Sequence, residues 1–546
     1  MPRLIVSESV DQATLDRIRS PRQDVVAESA AGRDRYVLDH GPFEGYTRSV
    51  DVTPDDGRYS VTQRFDYRLP AGTWRFLMNH PMRRALRSRP RPDGRLPWWY
   101  PPQRPDARGA SVLGMLATLS LVVGYHGTLL TQTMSFAADE FGAGTTAQGG
   151  ALAAVRAGAL LAILLAATAD RRGRRLLLVV SLLGAIGSTV LGALAPNLAT
   201  LAATQVVNRG SVSAASVLLV VIAAEEMPAG SRAYALSLLS MTGALGAGMA
   251  LWALPVADVG LRAWRILYVI PLVFVPLVLR FGRRLPESRR YTRPHRTVAL
   301  AGHYHRLALL AGASFLLLLF TSPQSQFRTE FLRDERGMSA AAVSLFIMAT
   351  STPASIGIVV GGRLADTRGR RMVGAAGAVV GATLLALSFT FDGPAMWLTA
   401  TLGSIFAAAL VPALSVYGPE LFPTSLRGRA NGIINTVATV GSVIGLVLAG
   451  FLIDKLDSFG LALGFLAIGP LVMAAVVLVL FPETAWRELE DLNPEDRTAA
   501  TTMSAHVPLA DGAFGRGGGT AGGRAGVLSG RSRDRGAAER QQPLVE

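Results

Sequence analysis

Three basic side chains stand where ionisable groups are seldom tolerated. His126, Arg156 and Arg209 all fall inside long apolar runs, and a charge placed inside a bilayer costs several kcal/mol, on the order of 3 or more, unless it meets a cavity or a partner. His126 lies about fifteen residues into the first run, Arg209 about thirteen past the turn at Pro196, and Arg156 about eight into the second. At about 1.5 Å per helical residue, the first two come near the midplane. No Asp or Glu reaches comparable depth: Asp139, Glu140, Asp170, Glu225, Glu330, Asp366, Glu420 and Asp454 lie at or beyond the ends of the runs. Cationic groups without acids beside them suit an anion, and histidine titrates near neutrality, so His126 could pass a proton as the anion binds. Further candidates are neutral. Gln132 belongs to the first run, and Gln324 and Gln326 follow Pro323, which is expected to interrupt the seventh helix. Asn431 and Asn435 are one turn apart in the eleventh, facing either a cavity or a neighbouring helix.

The elements that must hold these residues are membrane helices. The 546-residue chain is 50% apolar and only 17% charged, against about 25% charged in soluble domains. Between residues 110 and 484 twelve runs begin near residues 111, 148, 176, 199, 233, 263, 306, 339, 373, 395, 430 and 459. Runs of about 20 residues span a hydrocarbon core of about 30 Å. The fold expected is an all-α membrane protein of twelve transmembrane helices. The formal charge of +15 includes a single lysine, Lys455, among 54 basic side chains. Loop arginines concentrate on the side that holds Arg171 to Arg175, which predicts a cytoplasmic location for both termini. Met1 to Ser20 have no apolar core after a basic start, so no cleavable signal peptide is expected. The absence of cysteine excludes disulfides, thiolate metal sites and cysteine nucleophiles. His40 and His80 lack metal-ligand spacing, and no phosphate-cradling Gly-x-x-x-x-Gly-Lys occurs, so no metal, cofactor, enzyme activity, ATP-driven step or nucleic-acid partner is expected.

The polar flanks are organised differently. Residues 1–109 form an appendage and basic juxtamembrane segment, with a hairpin expected where Ser49 to Val52 and Tyr59 to Tyr67 flank Pro54-Asp55-Asp56-Gly57. Arginines from Arg83 to Arg95 followed by Trp98, Trp99 and Tyr100 predict a stretch lying on anionic headgroups. Bundles at 110–284 and 306–484 enclose a loop at 285–305, and the Gly- and Arg-rich tail at 485–546 is expected to be disordered.

An internal repeat relates the two bundles. Asp170-Arg171-Arg172-Gly173-Arg174-Arg175 returns 196 residues later as Asp366-Thr367-Arg368-Gly369-Arg370-Arg371. Glu225-x-x-Pro228-x-x-x-Arg232 returns 195 later as Glu420-x-x-Pro423-x-x-x-Arg427, and Pro286-Glu287-Ser288 returns 196 later as Pro482-Glu483-Thr484. Two pseudo-symmetric six-helix bundles with matching loops on one face imply an axis along the membrane normal and a solute path between them.

These motifs resemble the major facilitator superfamily, in particular its sugar-porter and metabolite:proton symporter branches, over residues 110–484. The resemblance implies alternating access around a central cavity. It also implies a cytoplasmic gate built from Asp170, Arg174, Glu225 and Arg232 with Asp366, Arg370, Glu420 and Arg427. The first copy departs from the family pattern by having Ala166 and Ala233 at glycine positions, which implies a looser helix contact there. Gly124-Tyr125-His126-Gly127 looks like the family's first-span Gly-Tyr/Phe-Asp-x-Gly, with His126 in place of the proton-carrying Asp, and Arg209-Gly210 matches the fourth-span arginine. The function so implied is that of a secondary active transporter, a monomer in the plasma membrane, carrying a small organic solute, favoured as an organic anion, with protons. A sugar porter, a drug:proton porter and a transporter-like sensor remain open.

Overall fold

The computed structural model describes residues 3–55, 57–70, 72–89, 96–143, 151, 154–156, 158–289, 291, 299–328, 331–332, 335–338 and 340–496. The described flank before the first span folds around a β-sheet. Five antiparallel strands, β1 (Arg3–Val10), β2 (Ala27–Gly32), β3 (Arg35–His40), β4 (Gly45–Asp55) and β5 (Arg58–Arg68), are ordered β1-β5-β4-β3-β2. The expected hairpin is β4–β5, pairing Ser49 with Arg64 and Asp55 with Arg58. Period-two alternation turns Tyr46, Arg48 and Val50 of β4 and Val61, Phe65 and Tyr67 of β5 inward, against α1 (Gln12–Ile18) and α2 (Arg75–Arg87). The buried Arg48 guanidinium is satisfied by Glu28 at 2.7 Å and by the carbonyls of Ile18 and Ser20.

Eleven described segments are long and apolar enough to cross a membrane. In order, the spans are Ala107–Phe141, Ala159–Arg172, Arg174–Ala193, Leu198–Glu226, Arg232–Ala253, Trp264–Arg284, Tyr304–Gln326, Ala340–Ser351 with Ala354–Arg368, Arg370–Leu387, Gly393–Ser415, Arg427–Leu456 and Phe459–Leu480. The segment outside the eleven is the second, whose described helix is short because residues before Ala159 are only partly described. Apart from the second, whose expected start near residue 148 lies outside the described residues, helix starts agree closely with the apolar runs, since runs of this length leave the chain few other places to begin.

Glycines mark the helix crossings. A Cβ at Gly124 would collide with the Gly243 backbone of the fifth span, and one at Gly441 or Gly445 with Phe315 or Leu319 of the seventh. Such contacts let backbones approach closely where no hydrophobic force drives association. One expectation is corrected here: Pro323 does not interrupt the seventh helix, which continues to Gln326. Proline removes the amide that the Leu319 carbonyl would accept, and Gly445 packs directly on that carbonyl. A neighbouring helix thus covers the freed group, as is common in membrane helices.

Two further expectations are corrected at the flanks. The tail is ordered through its first dozen residues: Trp486 covers Gly230, and Leu489–Leu492 forms a helical turn. Trp99 and Tyr100 do not lie on a membrane surface. Tyr100 is 2% exposed in the sheet-domain core, its hydroxyl donating to the Val25 carbonyl at 3.0 Å. Arg91 and Arg95 of the basic stretch lie outside the described residues.

Candidate functional site

The repeated loops are shaped by glycine and glutamate. Gly173 and Gly369 have φ of +103° and +102°, a region that L side chains avoid. A Cβ at either would come within 2.8 Å of a glutamate oxygen, from Glu287 and Glu483 respectively. Those glutamates cap the helices that follow: Glu287 accepts from the Arg174 amide at 3.0 Å, and Glu483 from the Arg370 amide at 3.1 Å. Pro-Glu-Ser and Pro-Glu-Thr are therefore capping devices, supplying negative charge where the helix dipole is positive.

The other motif works against its own helices. Glu225 ends the fourth span and Glu420 ends the short helix Tyr417–Glu420, while Arg232 and Arg427 open the fifth and eleventh spans. Acids at C-termini and bases at N-termini oppose the macrodipole, each by about 0.3–1 kcal/mol. Pairing relieves both. Glu225 binds Arg174 of its own half and Arg427 of the other; Glu420 binds Arg370 of its own half and, at 3.0 Å, Arg232 of the other. Asp366 accepts the amides of Ala233 and Tyr234 at 3.3 and 2.9 Å, at the start of the fifth span, and lies 3.2 Å from Arg370. These seven side chains are all essentially inaccessible, and the tail seals them: Arg232 donates to the Arg487 carbonyl, and Asn493 to the Glu420 carbonyl at 2.7 Å. The Asp170 side chain lies outside the described set. Gly362 of the eighth span packs on Ser237 and Ala233 of the fifth, with no room for a Cβ.

The basic residues deeper in the bundles are not brought together in the same way. His126 is 2% exposed; its Nδ1 is 3.0 Å from Thr189 Oγ1 of the third span, and its buried Nε2 has no hydrogen-bond partner. Among the described residues no bond links it to Arg156 or Arg209. Those two are close enough to repel each other, and the Arg209 side chain is exposed. No ion pair holds Arg209 among the described residues. Gln132 is half-buried, Gln326 exposed, and Gln324 buried with its Nε2 unpartnered. Asn431 donates to the Arg427 carbonyl at 2.7 Å within its own helix, and Asn435 is half-buried.

Residues 307–515 match the family model described as Major Facilitator Superfamily. The fold superposes on the proton:xylose symporter XylE, bound to 6-bromo-6-deoxy-D-glucose, with a TM-score of 0.60 and 17% identity, over 71% of this chain and 99% of that one. It also superposes on the human organic anion transporter MFSD10, with a TM-score of 0.57 and 15% identity, over 69% and 100%. The fold is that of the major facilitator superfamily, and the carboxy-terminal half matches that family's model. Curated relatives match over shorter stretches: a glucose transporter, GlcP, of Staphylococcus epidermidis is 39% identical over 99 residues, 18% of this chain and 22% of that protein. The cis,cis-muconate transport protein of Acinetobacter baylyi is 31% identical over 143 residues, 26% and 33%. The chain thus spans a third or less of the length of these relatives. They and the structural neighbours are transporters rather than enzymes.

Two features of this protein escaped sequence reasoning. Arg328, one turn beyond Gln324, is 8% exposed, its Nη2 has no partner, and no ion pair holds it among the described residues. Its place just past the apolar run made it look like a loop residue. The second feature is a strap over the ion-pair cluster. The Trp99 carbonyl accepts from Tyr234 of the fifth span at 2.5 Å, and the Tyr100 carbonyl from Arg363 of the eighth. Gln103 accepts from the Gly230 amide and bonds Ser231, each at 2.8 Å. The only signal available was the aromatic run itself, whose apolar character fits a protein surface as well as a lipid one.

Proposed function

We propose that this protein is a secondary active transporter that carries a small organic anion by alternating access, with the ion-pair cluster as the latch between its halves and protons as the coupling ion. The observation that carries the reading is the contrast in charge: Arg209 and Arg328 lie within the bundles without a carboxylate among the described residues. A cation at membrane depth with no carboxylate in reach is costly unless something anionic visits it. The latch suits a cycle because buried ion pairs contribute little net stability once desolvation is counted, so hydrated and buried forms are close in free energy. Its pairs link the two halves here, closing the arginine-rich end, which the positive-inside rule assigns to the cytoplasm with both chain termini. His126 is the proposed proton carrier, its free Nε2 being the atom to load. In this closed state it acts apart from Arg209, so the joint site of His126, Arg156 and Arg209 would form only in another state, with Gln132, Gln324, Gln326 and Asn435 as neutral lining. The carriers of muconate and organic anions among the similar proteins support this reading.

A sugar-carrying reading draws on the likeness to XylE and GlcP and on the buried Gln324. Proteoliposomes with an imposed pH gradient separate the two. Labelled muconate or nicotinate is expected to accumulate and glucose not, and Arg209→Ala to reduce carboxylate uptake by at least about ten-fold. Glucose uptake that withstands Arg209→Ala would overturn the anion reading, and a His126→Ala variant that still concentrates solute would remove His126 from coupling.

A further inference from the structure

The sheet domain meets the bundle at one place where charge is left unbalanced. A cavity of about 450 Å³ lies between them, lined by Arg68 and Arg75 of the sheet domain and by Arg280 and Arg284 of the sixth span, with Glu44 the acid on its wall. Glu44 pairs with Arg68 at 3.1 Å, and both side chains are largely exposed, so that pair holds little. Arg75, Arg280 and Arg284 have no ion pair among the described residues. Arg280 and Arg284 are four residues apart and so share a face of the last helical turns of the sixth span. Guanidinium groups offer planar forks that match phosphate oxygens.

The cavity's depth in the membrane follows from its other wall and from a neighbouring contact. Met115, Leu277 and Phe281 form an apolar side. Beside it, the Trp74 indole donates to Thr118 Oγ1 at 2.9 Å, three turns into the first span. Trp74 is thus seated at the level where tryptophans mark the membrane interface. The next residues of α2, Phe76 and Leu77, are 79% and 50% exposed, an arrangement that strands apolar area unless acyl chains cover it. A cationic pocket, an apolar wall and an interfacial tryptophan together describe a headgroup with its chains attached.

We propose that this junction is a binding site for the headgroup of an anionic phospholipid, whose phosphate is held by Arg75, Arg280 and Arg284 while its chains run past Phe76, Leu77 and the sixth span. The site stands apart from the identity of the transported solute. It also moves the membrane contact of the amino-terminal flank away from Trp98 to Tyr100, where the aromatic run pointed, to the turn at Trp74 to Leu77.

The purified full-length protein in neutral detergent tests this by native mass spectrometry and thermal shift with phosphatidylglycerol, phosphatidylcholine or inorganic phosphate. With three arginines near the surface, phosphatidylglycerol is expected to bind on the order of a hundred-fold more tightly than phosphatidylcholine. Inorganic phosphate at equal concentration should give no shift. In the doubly substituted Arg75→Gln, Arg284→Gln protein the preference should fall to a few-fold, while Arg75→Lys with Arg284→Lys should keep most of it. All four substitutions are at exposed side chains, and unchanged helicity would show that folding is not the cause. Equal binding of the two lipids, a preference that survives the glutamine pair, or stabilisation by inorganic phosphate alone would each overturn the proposal.

Discussion

The arginine-rich end and the interior of the bundles handle buried charge in opposite ways. At the end, Arg174, Arg232, Arg370 and Arg427 are fully enclosed, yet each has a carboxylate in reach. Inside, Arg209 and Arg328 have none among the described residues. Burial is therefore a poor guide to role, and what separates the regions is whether the counter-charge belongs to the chain. Where it does, charge joins one half to the other; where no described residue supplies it, the proposed anion would. The cluster is also incompletely satisfied, since the Nε group of Arg370 lacks a hydrogen-bond partner. A fully bonded network would resist opening more strongly.

The largest effect should come from breaking the paired region. Glu420→Gln leaves Arg232 and Arg370 facing a neutral amide, and losing one partner of a buried pair typically costs about 3–5 kcal/mol. Because the chain has no cysteine, a single Ser237→Cys at the crossing of the fifth and eighth spans reports opening without background. Its labelling is expected to accelerate by about a hundred-fold or more when combined with Glu420→Gln. A rate within two-fold of the parent would show that the pairs do not hold the halves closed.

The unpaired region should respond the other way. Arg209→Met and Arg328→Met each remove a charge that no described residue neutralises, so thermal stability is expected to stay level or rise. Uptake of the anion should fall by about ten-fold or more in each. If either substitution destabilised the protein as Glu420→Gln does, that arginine would be structural, and the contrast between the two regions would be lost for it.

How much of this was legible depended on whether charge was repeated or solitary. The latch residues could be found because Asp366, Glu420 and Arg427 echo Asp170, Glu225 and Arg232 at offsets of 196, 195 and 195, and spacing survives folding. The twelve spans were legible because apolar length is a one-dimensional property. His126 was legible as an unusual residue but not as one that turns to Thr189, since a helix direction cannot be read from a single side chain. Arg328 was hidden by its position just past an apolar run. The sheet domain was visible only as its β4–β5 hairpin, because β1 pairs with β5 across 49 to 63 residues of chain and such pairing leaves no local pattern.

The strap offers a graded version of the same test. Tyr234→Phe with Gln103→Ala removes hydrogen bonds from the strap to the fifth span and the loop before it, each worth about 1 kcal/mol. Labelling of the Ser237→Cys reporter should accelerate by about ten-fold, between the parent and Glu420→Gln. No acceleration would mean that the sheet domain rests on the latch without restraining it.

The smallest effect belongs to the end opposite the latch, where charge is again paired but lies near the surface. Burial alone would raise the Glu140 carboxyl, but hydrogen bonds from Arg265 at 2.9 Å and Trp264 at 2.7 Å outweigh it and hold the group below the ordinary glutamate range. Arg265 also donates to the Ala193 and Ala195 carbonyls, so the carboxylate ties the first, third and sixth spans. A carboxyl with a depressed folded value contributes stability that is complete above its unfolded value, near 4.5, and is lost as the pH falls through the folded one. Glu140→Gln should therefore lower the melting temperature by about 2 °C at pH 7, and the two proteins should converge by about pH 3. A difference that persisted undiminished in acid would show that Glu140 acts by packing rather than by charge, and pairing would then matter only where it joins the halves.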